Sequence, residues 1–261
     1  MITAASNSRI KRLVQLNQKS KLRRTEDVFL AEGVKMFLEE PGKQLQEVYV
    51  SESFLEKCSC REHLEEVGYE VVSDSVFSKI SDTCTPQGVL CVLKQFHYNI
   101  EEMLRDKAPL FLLLENIQDP GNLGTMLRTG EGAGVSGIIM SRDTVDLYNP
   151  KVIRSTMGSI YRVPFYYADD FAAAVHQVQQ AGVSVYAAHL RGKNSYACQD
   201  YTKGTAFLIG NEGNGLREET AELADCYIRI PMEGKVESLN AAVASSILMY
   251  EAHRQRATIE K

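Results

Sequence analysis

The sequence predicts an α/β protein with two domains, and three observations support this prediction. The chain has 261 residues, of which 44% are hydrophobic, so it can bury one large core or two smaller ones. Apolar segments typical of strands alternate with segments of helical periodicity. The strand pattern stops near residue 95, and stronger apolar segments begin at Pro109. We therefore predict domains at 1–95 and 109–261, joined by a polar linker at 96–108.

The first 95 residues contain four apolar segments with the composition of strands, separated by segments whose apolar residues have helical spacing. A basic segment with helical spacing precedes them at residues 8–18. The expected strands are 28–32, 45–51, 69–73 and 88–95, and the expected helices are 33–40, 53–68 and 74–81. This alternation is typical of a small α/β domain.

The second domain has nearly continuous apolar segments, as expected for strands of a parallel sheet that is buried on both faces. These strands are expected at 109–117, 136–141, 182–190, 205–210 and 225–232, with helices at 122–134, 169–182, 215–224 and 238–256. In the last helix, Leu239, Val243, Ile247 and Tyr250 recur about once per turn. We predict that this stripe faces the core.

Charge is distributed unevenly along the chain. Residues 1–24 carry seven basic side chains and no acidic one, whereas the whole chain has a net charge of −5. The remaining residues therefore carry a net charge of −12. A basic segment on an acidic body favours binding to a polyanion, although a solvated helix face would have the same composition.

Several protein classes are disfavoured by the composition. No segment is apolar for the roughly eighteen residues that a membrane-spanning helix needs, and residues 1–13 lack the apolar core of a signal peptide. The sequence thus predicts a soluble, cytoplasmic protein. The six cysteines form no C-x-x-C pair, and no histidine joins them at the spacing of metal ligands. We predict buried free thiols and no metal site.

A glycine-rich segment at Gly132–Gly137 has the literal pattern G-x-G-x-x-G of dinucleotide-binding proteins. That motif requires a strand before the glycines and a helix after them, so that the pyrophosphate meets the helix N-terminus. Here the predicted helix comes first and the strand follows. These glycines are therefore expected to end a helix and let it pack closely on the sheet, and a nucleotide-dependent oxidoreductase is the weakest alternative.

Two further loops have a better context for a ligand site. Gly210–Gly215 lies between a predicted strand and a predicted helix, and Pro231–Asn240 connects a strand to the last helix. Ligands of parallel sheets bind beyond the carboxyl ends of the strands, where glycine lets the backbone approach closely. Together with the segment after the strand at 109–117, these loops can converge on one site, although the first could also be an ordinary tight turn.

Three motifs in these segments resemble those of a known enzyme family. They are N-x-x-D-P-x-N-x-G-x-x-x-R at Asn116–Arg128, I-G-N-E-G-x-G at Ile209–Gly215, and I-P-M-x-G-x-x-x-S-L-N at Ile230–Asn240. In this order they resemble the motifs of the SpoU, or TrmH-like, RNA 2′-O-methyltransferases of the SPOUT superfamily. The resemblance covers about 109–255. The N-terminal part, with F-L-A-E-G at Phe29–Gly33, resembles the ribosomal-protein-L30-like substrate domain of members that modify rRNA.

The resemblance implies a function and an architecture that composition alone does not give. It implies an S-adenosylmethionine-dependent enzyme that methylates a ribose 2′-OH of ribosomal RNA, a trefoil-knotted parallel-sheet domain and a homodimer. Methyl transfer from a sulfonium needs no metal, because the positive charge already activates the methyl group. The alternatives are a tRNA 2′-O-methyltransferase and a non-enzymatic RNA-binding module, which would bind RNA without S-adenosylmethionine.

The resemblance also assigns site residues. It places Arg128 at the reacting hydroxyl. A guanidinium is a poor general base, so we expect Arg128 to bind the adjacent phosphate and stabilise negative charge that develops on the ribose oxygen, with phosphate or water assisting proton loss. The expected catalytic residues are Asn122, Arg128, Ser238 and Asn240. The expected cofactor-binding residues are Gly210, Asn211, Glu212, Gly213, Ile230, Met232 and Leu239. The expected RNA-binding residues are Arg9, Lys11, Arg12, Lys21, Arg23 and Arg24.

Simpler roles are possible for the same catalytic residues. Asn122 could cap a helix, Arg128 could form a surface ion pair, and Ser238 and Asn240 could cap the last helix. Asn122 and Arg128 are six residues apart, about 600° of helical rotation, so they would not share one face of a helix. We therefore expect Asn122 in the loop before the helix, where its amide can orient Arg128 or the ribose.

Overall fold

A computed structural model describes residues 1–259, and its strands form two separate sheets. A four-stranded sheet belongs to the N-terminal unit, which consists of Met1–Phe96 and Asp146–Tyr161. A seven-stranded sheet belongs to the C-terminal unit, which consists of His97–Val145 and the chain from Arg162 onward. The structure thus differs from the predicted division at 146–161, a segment of the second domain in sequence that packs with the first.

The helices and strands follow in chain order. The helices are α1 (Ser8–Gln18), α2 (Ser20–Glu26), α3 (Val34–Leu38), α4 (Glu52–Lys57), α5 (Arg61–Val67), α6 (Asp74–Ile80), α7 (Ile100–Met103), α8 (Pro120–Ala133), α9 (Pro150–Thr156), α10 (Phe171–Gln180), α11 (Glu218–Ala221) and α12 (Ala241–Ile259). The strands are β1 (Val28–Glu32), β2 (Leu45–Ser51), β3 (Glu70–Val72), β4 (Val89–Lys94), β5 (Leu110–Leu114), β6 (Gly137–Ser141), β7 (Phe165–Ala168), β8 (Ser184–Ala188), β9 (Asn194–Ser195), β10 (Thr205–Ile209) and β11 (Cys226–Arg229).

The N-terminal unit is a mixed sheet covered by short helices. The strand order is β1-β4-β2-β3, in which β4 runs antiparallel to β1 and β2, and β3 runs parallel to β2. All four predicted strands are confirmed. The predicted helix at 53–68 is instead two helices, α4 and α5, because Cys58 leaves the helical conformation. Helices α1 and α6 bury apolar side chains in the same core as the sheet, among them Leu13, Leu16 and Phe77.

The segment Asp146–Tyr161 joins the N-terminal unit through aromatic and polar contacts. The ring of Tyr148 lies 4.8 Å from that of Phe29, and the Tyr148 hydroxyl accepts a 2.7 Å hydrogen bond from the backbone N–H of Phe96. The hydroxyl of Tyr161 donates to the carbonyl of Met36. No element was predicted here, because α9 is short and has no clear apolar period.

The C-terminal unit contains an entirely parallel sheet with the order β7-β6-β5-β10-β8-β11-β9. The five predicted strands of this domain are confirmed as β5, β6, β8, β10 and β11, and every residue of β5, β6 and β10 is buried. Two edge strands, β7 and β9, were not predicted. The predicted linker contains α7, whose Ile100 and Met103 belong to the core of this unit. The trefoil knot stays a prediction.

Helix α8 begins and ends with strong local signals. The side chain of Asp119 caps its N-terminus by accepting from the backbone N–H of Asn122 at 2.8 Å, and Pro120 occupies the first turn. Gly134 ends the helix in the left-handed conformation, with φ of 76°. The prediction that the glycines of the G-x-G-x-x-G pattern end a helix is therefore confirmed, and β6 follows them.

Helix α12 buries a different face from the predicted one. Val243 and Tyr250 are each 49% exposed, so the predicted core stripe is wrong. The buried face consists mostly of small residues: Ala241, Ala242, Ser245, Leu248, Met249 and Ala252. This face permits close packing on α8, where the Ser246 and Thr129 hydroxyls lie 3.4 Å apart. Hydrophobicity alone ranks valine and tyrosine above alanine, which explains the error.

The cysteines are free, as predicted, but only Cys91 is buried, and Cys84 and Cys198 are exposed. Over residues 1–259, no helix is both long and apolar enough to cross a membrane. The same residues contain no cluster of three or more histidine, cysteine, aspartate or glutamate side chains that could hold a metal ion.

Candidate active site

The candidate site lies beyond the carboxyl ends of the parallel strands of the C-terminal unit. Strands β5 and β10 are neighbours there, but the chain leaves β5 towards β6, on one side, whereas β10 pairs with β8 on the other. Such a switch in strand order opens a crevice that parallel sheets use for ligands. A cavity of about 310 Å³ opens beside this point, at the carboxyl ends of β8, β10 and β11, and its volume is within the size range of small-molecule sites.

The cavity brings together all seven predicted cofactor-binding residues, which come from two loops that are far apart in sequence. One loop follows β10 and the other connects β11 to α12, and the predicted catalytic residue Ser238 also lines the cavity. The predicted residues in the wall are Gly210, Asn211, Glu212, Gly213, Ile230, Met232 and Leu239.

The loop after β10 is held in a tight turn by its own polar groups. The backbones of Asn211 and Gly215 exchange two hydrogen bonds of 2.9 and 3.0 Å, and the Asn211 side-chain oxygen accepts from the backbone N–H groups of Gly213 and Asn214. A Cβ atom at Gly210 would lie 2.2 Å from the backbone of Gly215. Only glycine therefore fits at Gly210 in this turn, whereas a Cβ at Gly213 would meet no atom closer than 3.6 Å.

The carboxylate of Glu212 ties this turn to the start of α8. It accepts hydrogen bonds of 3.0 Å from the backbone N–H groups of Gln118 and Asp119 and from the side-chain amide of Asn122. Burial raises the pKa of the carboxyl, but these donors favour the charged form and outweigh it, so the pKa of Glu212 is lowered. Glu212 is therefore ionised at neutral pH and joins the first and second motifs.

Asn122 and Asn240 extend this connection to the third motif. The side-chain oxygen of Asn122 accepts a 3.0 Å hydrogen bond from the Asn240 amide, and the Asn240 oxygen accepts from the backbone N–H groups of Ala242 and Val243. Asn240 thus caps α12 as well as contacting Asn122. The expectation that Asn122 precedes the helix is wrong: it lies in the first turn of α8, because Asp119 is the cap.

The buried carboxylate of Glu115 is hydrogen-bonded to the segment that follows the turn at Gly210–Gly215. Glu115, at the end of β5, is 1% exposed and accepts hydrogen bonds from the Thr220 hydroxyl at 2.5 Å and from the backbone N–H of Arg217 at 2.8 Å. The next residue, Asn116, has a positive φ of 54°, and its carbonyl accepts from the Asn211 amide. This carboxylate was not predicted, although a single glutamate directly after a five-residue apolar strand is a pattern that could have indicated a buried polar group at the site.

Arg128 differs from the other predicted catalytic residues because it is not part of this network. It lies on the exposed face of α8, and its side chain has no hydrogen-bond or ion-pair partner among residues 1–259. The simpler prediction of a surface ion pair is therefore wrong. Ser238 is likewise exposed and makes no hydrogen bond within that range.

The predicted RNA-binding residues fall into two groups. Arg9 pairs with Glu70, and Arg12 pairs with Glu26 and Glu47. Arg23 is only 3% exposed, pairs with Asp146 and donates to the carbonyls of Leu16 and Asn17, so the assignment of Arg23 to RNA is wrong. The other three predicted residues, Lys11, Lys21 and Arg24, are exposed and have no ion-pair partner in the described chain. The same holds for Lys19, which belongs to the same basic segment but was not among the predicted residues.

Sequence reasoning missed several cavity residues that carry no recognisable motif. Three of them, Ala188, His189 and Leu190, lie at or just after the end of β8, and Arg229 ends β11. The signal available was their position alone, since they stand at the carboxyl ends of predicted parallel strands.

Comparison with known proteins assigns the class. Residues 109–250 match the SpoU rRNA Methylase family, and residues 7–91 match the MRM3-like substrate binding domain. The chain belongs to the SpoU rRNA Methylase family. Both matches agree with the resemblance drawn from the motifs.

Relatives and solved structures resemble nearly the whole chain. It is 32% identical over 254 residues to the 23S rRNA (guanosine(2553)-2'-O)-methyltransferase RlmP of Bacillus subtilis, covering 95% of this chain and 97% of that protein. An AdoMet-bound rRNA methyltransferase from Sinorhizobium meliloti has a TM-score of 0.84 and 31% identity, covering 97% of each chain. The AdoMet complex of the SpoU methyltransferase AviRb from Streptomyces viridochromogenes has a TM-score of 0.87 and 26% identity, covering 97% and 99%.

Proposed function

We propose that this protein transfers a methyl group from S-adenosylmethionine to a ribose 2′-OH of ribosomal RNA. The observation that carries the proposal is the hydrogen-bonded chain Glu212–Asn122–Asn240, which joins all three motifs beside the cavity. The relatives named as 23S rRNA 2′-O-methyltransferases support the choice of ribosomal RNA. With that substrate, the protein works in the cytoplasm.

The cavity fits S-adenosylmethionine in size and chemistry. Its wall combines apolar side chains, such as Ile230, Met232 and Leu239, with the residues of the turn at Gly210–Gly215. These features suit an adenosine that is recognised mainly by apolar contacts and backbone groups. When bound, the sulfonium supplies an activated methyl group. In this proposal Gly210, Ile230 and Leu239 hold the cofactor by their backbones, and the other predicted residues surround it.

The chain's own residues then have to place the ribose and stabilise charge. Arg128 is free to bind an RNA phosphate, and a guanidinium next to the 2′-oxygen stabilises the negative charge that develops as the proton leaves. Asn122 cannot rotate freely, because Glu212 and Asn240 hold both ends of its amide. Asn122 therefore provides a polar group of fixed orientation beside the acceptor ribose. Ser238 adds a hydroxyl without a hydrogen-bond partner in the described chain at the cavity wall.

The unpaired cations of the N-terminal unit are the proposed docking surface for RNA. Lys11, Lys19, Lys21 and Arg24 are exposed and lack acidic partners among residues 1–259, so contact with phosphates breaks no internal ion pair there. Arg9 and Arg12 are exposed or half-buried but already paired, so their contribution is smaller. This proposal assigns RNA binding to the N-terminal unit and methyl transfer to the C-terminal unit, in place of the predicted division into 1–95, the linker 96–108 and 109–261.

A homodimer is also part of the proposal. The stripe of α12 that contains Val243 and Tyr250 is apolar and exposed, which is unusual for the longest helix of a unit unless another surface covers it. A second copy is the occupant that the family resemblance implies. Sedimentation velocity should give a dimer for the wild type and a monomer for Val243→Glu with Tyr250→Glu, whereas a monomeric wild type would refute the dimer.

The experiment that tests the function directly is a map of ribose methylation. Ribosomal and transfer RNA from cells with and without the gene are compared for 2′-O-methyl nucleotides, and we expect one ribosomal position to lose its methyl group and regain it with the wild-type gene. Loss at a tRNA position would instead support the tRNA alternative. No difference in either RNA would contradict the proposal.

A further inference from the structure

His189 is a half-buried residue of the cavity wall, and one nitrogen of its ring, Nε2, has no hydrogen-bond partner among residues 1–259. It follows β8, and its backbone N–H donates to the carbonyl of Ile228 at 3.0 Å, which fixes its place beside β11. Its side chain lines the cavity together with Ala188, Leu190 and Ile228. No predicted motif contains this residue.

The hydrogen bonds of the ring determine where its proton lies. Nδ1 accepts from the backbone N–H of Arg191 at 3.1 Å, so in the neutral ring the proton is on Nε2. Nε2 has no hydrogen-bond partner among the described residues. The ring packs on Tyr227, with centroids 5.0 Å apart and planes tilted by 32°, which limits its rotation.

The surroundings of the ring keep it neutral. Burial, followed by the positive charge of Arg191, lowers the pKa of His189, and Glu218 of α11 offsets this only in part because it is itself paired with Arg191. Of the other titratable groups at this end of the cavity, Tyr227 contacts the ring, and Arg229 and Glu237 also line the wall. A neutral ring offers a single directed donor and adds no positive charge next to a cationic cofactor.

We infer that His189 is a specificity residue of the cavity, which donates a hydrogen bond from Nε2 to the adenosyl part of the cofactor. This inference rests on the proposed assignment of the cavity to S-adenosylmethionine. The adenosyl part is uncharged and rich in acceptors, namely ring nitrogens and ribose oxygens, whereas the methionyl part carries charged groups. The neighbours Ala188, Leu190 and Ile228 are apolar, so this stretch of the wall suits the uncharged part.

Two substitutions separate the donor from the rest of the ring. In His189→Gln the side-chain amide reaches the position of Nε2, whereas in His189→Asn it reaches only the position of Nδ1 and can still accept from Arg191. We expect His189→Asn to weaken binding of S-adenosylhomocysteine about threefold to tenfold, as for loss of one uncharged hydrogen bond, and His189→Gln to restore most of it. Calorimetry measures both affinities, and circular dichroism melting checks that both variants fold.

A truncated ligand identifies which part of the cofactor is contacted. 5′-Methylthioadenosine keeps the adenosyl group and lacks the charged methionyl end, so His189→Asn should weaken its binding by the same factor. An equal affinity of wild type and His189→Asn for both ligands would overturn the inference, as would a loss confined to S-adenosylhomocysteine. If the wild type binds neither ligand, the assignment of the cavity to S-adenosylmethionine is itself wrong. That result differs from equal binding by wild type and His189→Asn, which would overturn only the role of His189.

Discussion

Arg23 and Arg128 were both expected to act on RNA, and the structure separates them completely. Arg23 is 3% exposed, and Asp146 and two backbone carbonyls occupy its guanidinium. Arg128 is exposed and has no partner in the described part of the chain. The comparison shows that a count of charges identifies a basic segment but does not tell which cations the fold itself uses.

The same contrast extends to the regions around the two arginines. In the N-terminal unit, Arg9, Arg12 and Arg23 are paired with acidic groups, so their charges stabilise the fold. At the candidate site, the asparagine and glutamate side chains are bonded to each other, and Arg128 has no partner among residues 1–259. A cation without an internal partner is expected where the protein must bind a phosphate without first breaking an ion pair of its own.

Substitution of Arg128 should give the largest effect. We expect Arg128→Ala to lower the rate of methyl transfer about a hundredfold to a thousandfold, as for loss of a group that stabilises developing negative charge. Affinity for S-adenosylhomocysteine and thermal stability should stay near wild type, because the described chain offers the side chain no internal partner. Single-turnover kinetics and calorimetry measure the two quantities, and Arg142→Ala, at an exposed arginine of the same unit, is the control. Unchanged kinetics would remove Arg128 from catalysis.

Arg23 should behave in the opposite way. Arg23→Met leaves Asp146 without its partner and removes hydrogen bonds to the carbonyls of Leu16 and Asn17, so the free energy of unfolding should fall by about 3–5 kcal/mol. Arg24→Met, at the exposed neighbouring position, should change it by less than about 0.5 kcal/mol. Urea denaturation measures both. A stable Arg23→Met variant with weakened RNA binding would instead support a role for Arg23 in RNA binding.

Two glycines of the turn at Gly210–Gly215 should also differ in their effect on cofactor binding. A Cβ at Gly210 would lie 2.2 Å from the backbone of Gly215, so Gly210→Ala must distort the turn and should weaken S-adenosylhomocysteine binding more than about tenfold. A Cβ at Gly213 would meet no protein atom closer than 3.6 Å, so Gly213→Ala should leave the turn intact and weaken binding less than Gly210→Ala does. Calorimetry measures the affinity of both variants for S-adenosylhomocysteine. Equal affinities would mean that this turn does not form the cofactor site.

The smallest effect is expected at the free cations of the N-terminal unit. Lys19→Ala, Lys21→Ala and Arg24→Ala combined should reduce the slope of log affinity for single-stranded RNA against log salt by about 0.7 for each phosphate that these side chains neutralise. Cofactor affinity should not change. The matched control is the triple alanine variant at Lys43, Lys57 and Lys79, which are also exposed in that unit. Equal slopes for the two triple variants would place the RNA surface elsewhere.

The sequence predicted what depends on strong local patterns. Five of the seven strands of the parallel sheet were recoverable because buried strands are almost uniformly apolar, as Leu110–Leu114 illustrates. The motifs located the two loops that line the candidate cavity, and all seven predicted cofactor-binding residues lie in its wall. The membership of Asp146–Tyr161 in the N-terminal unit was not predictable, because it depends on contacts such as Tyr148 with Phe29 that no local pattern encodes.

Other predictions were wrong because a specific contact in the structure outweighed a simple expectation from the sequence. Asn122 was expected outside the helix because its spacing from Arg128 does not fit one face, but a helix can present the two side chains to different partners. In α12, the alanine-rich face is buried because close packing on α8 requires small side chains. His189 carried no motif, and only its place after β8 revealed it.

The most direct test of the central claim is an in vitro transfer assay with labelled S-adenosylmethionine, ribosomal RNA and EDTA. A methyl group on a ribose 2′-oxygen protects the adjacent phosphodiester from alkali, so the label should appear in an alkali-resistant dinucleotide with the wild-type protein and be nearly absent with Arg128→Ala. Label in alkali-released mononucleotides would indicate methylation of a base. That result, or no transfer at all to ribosomal RNA, would contradict the account.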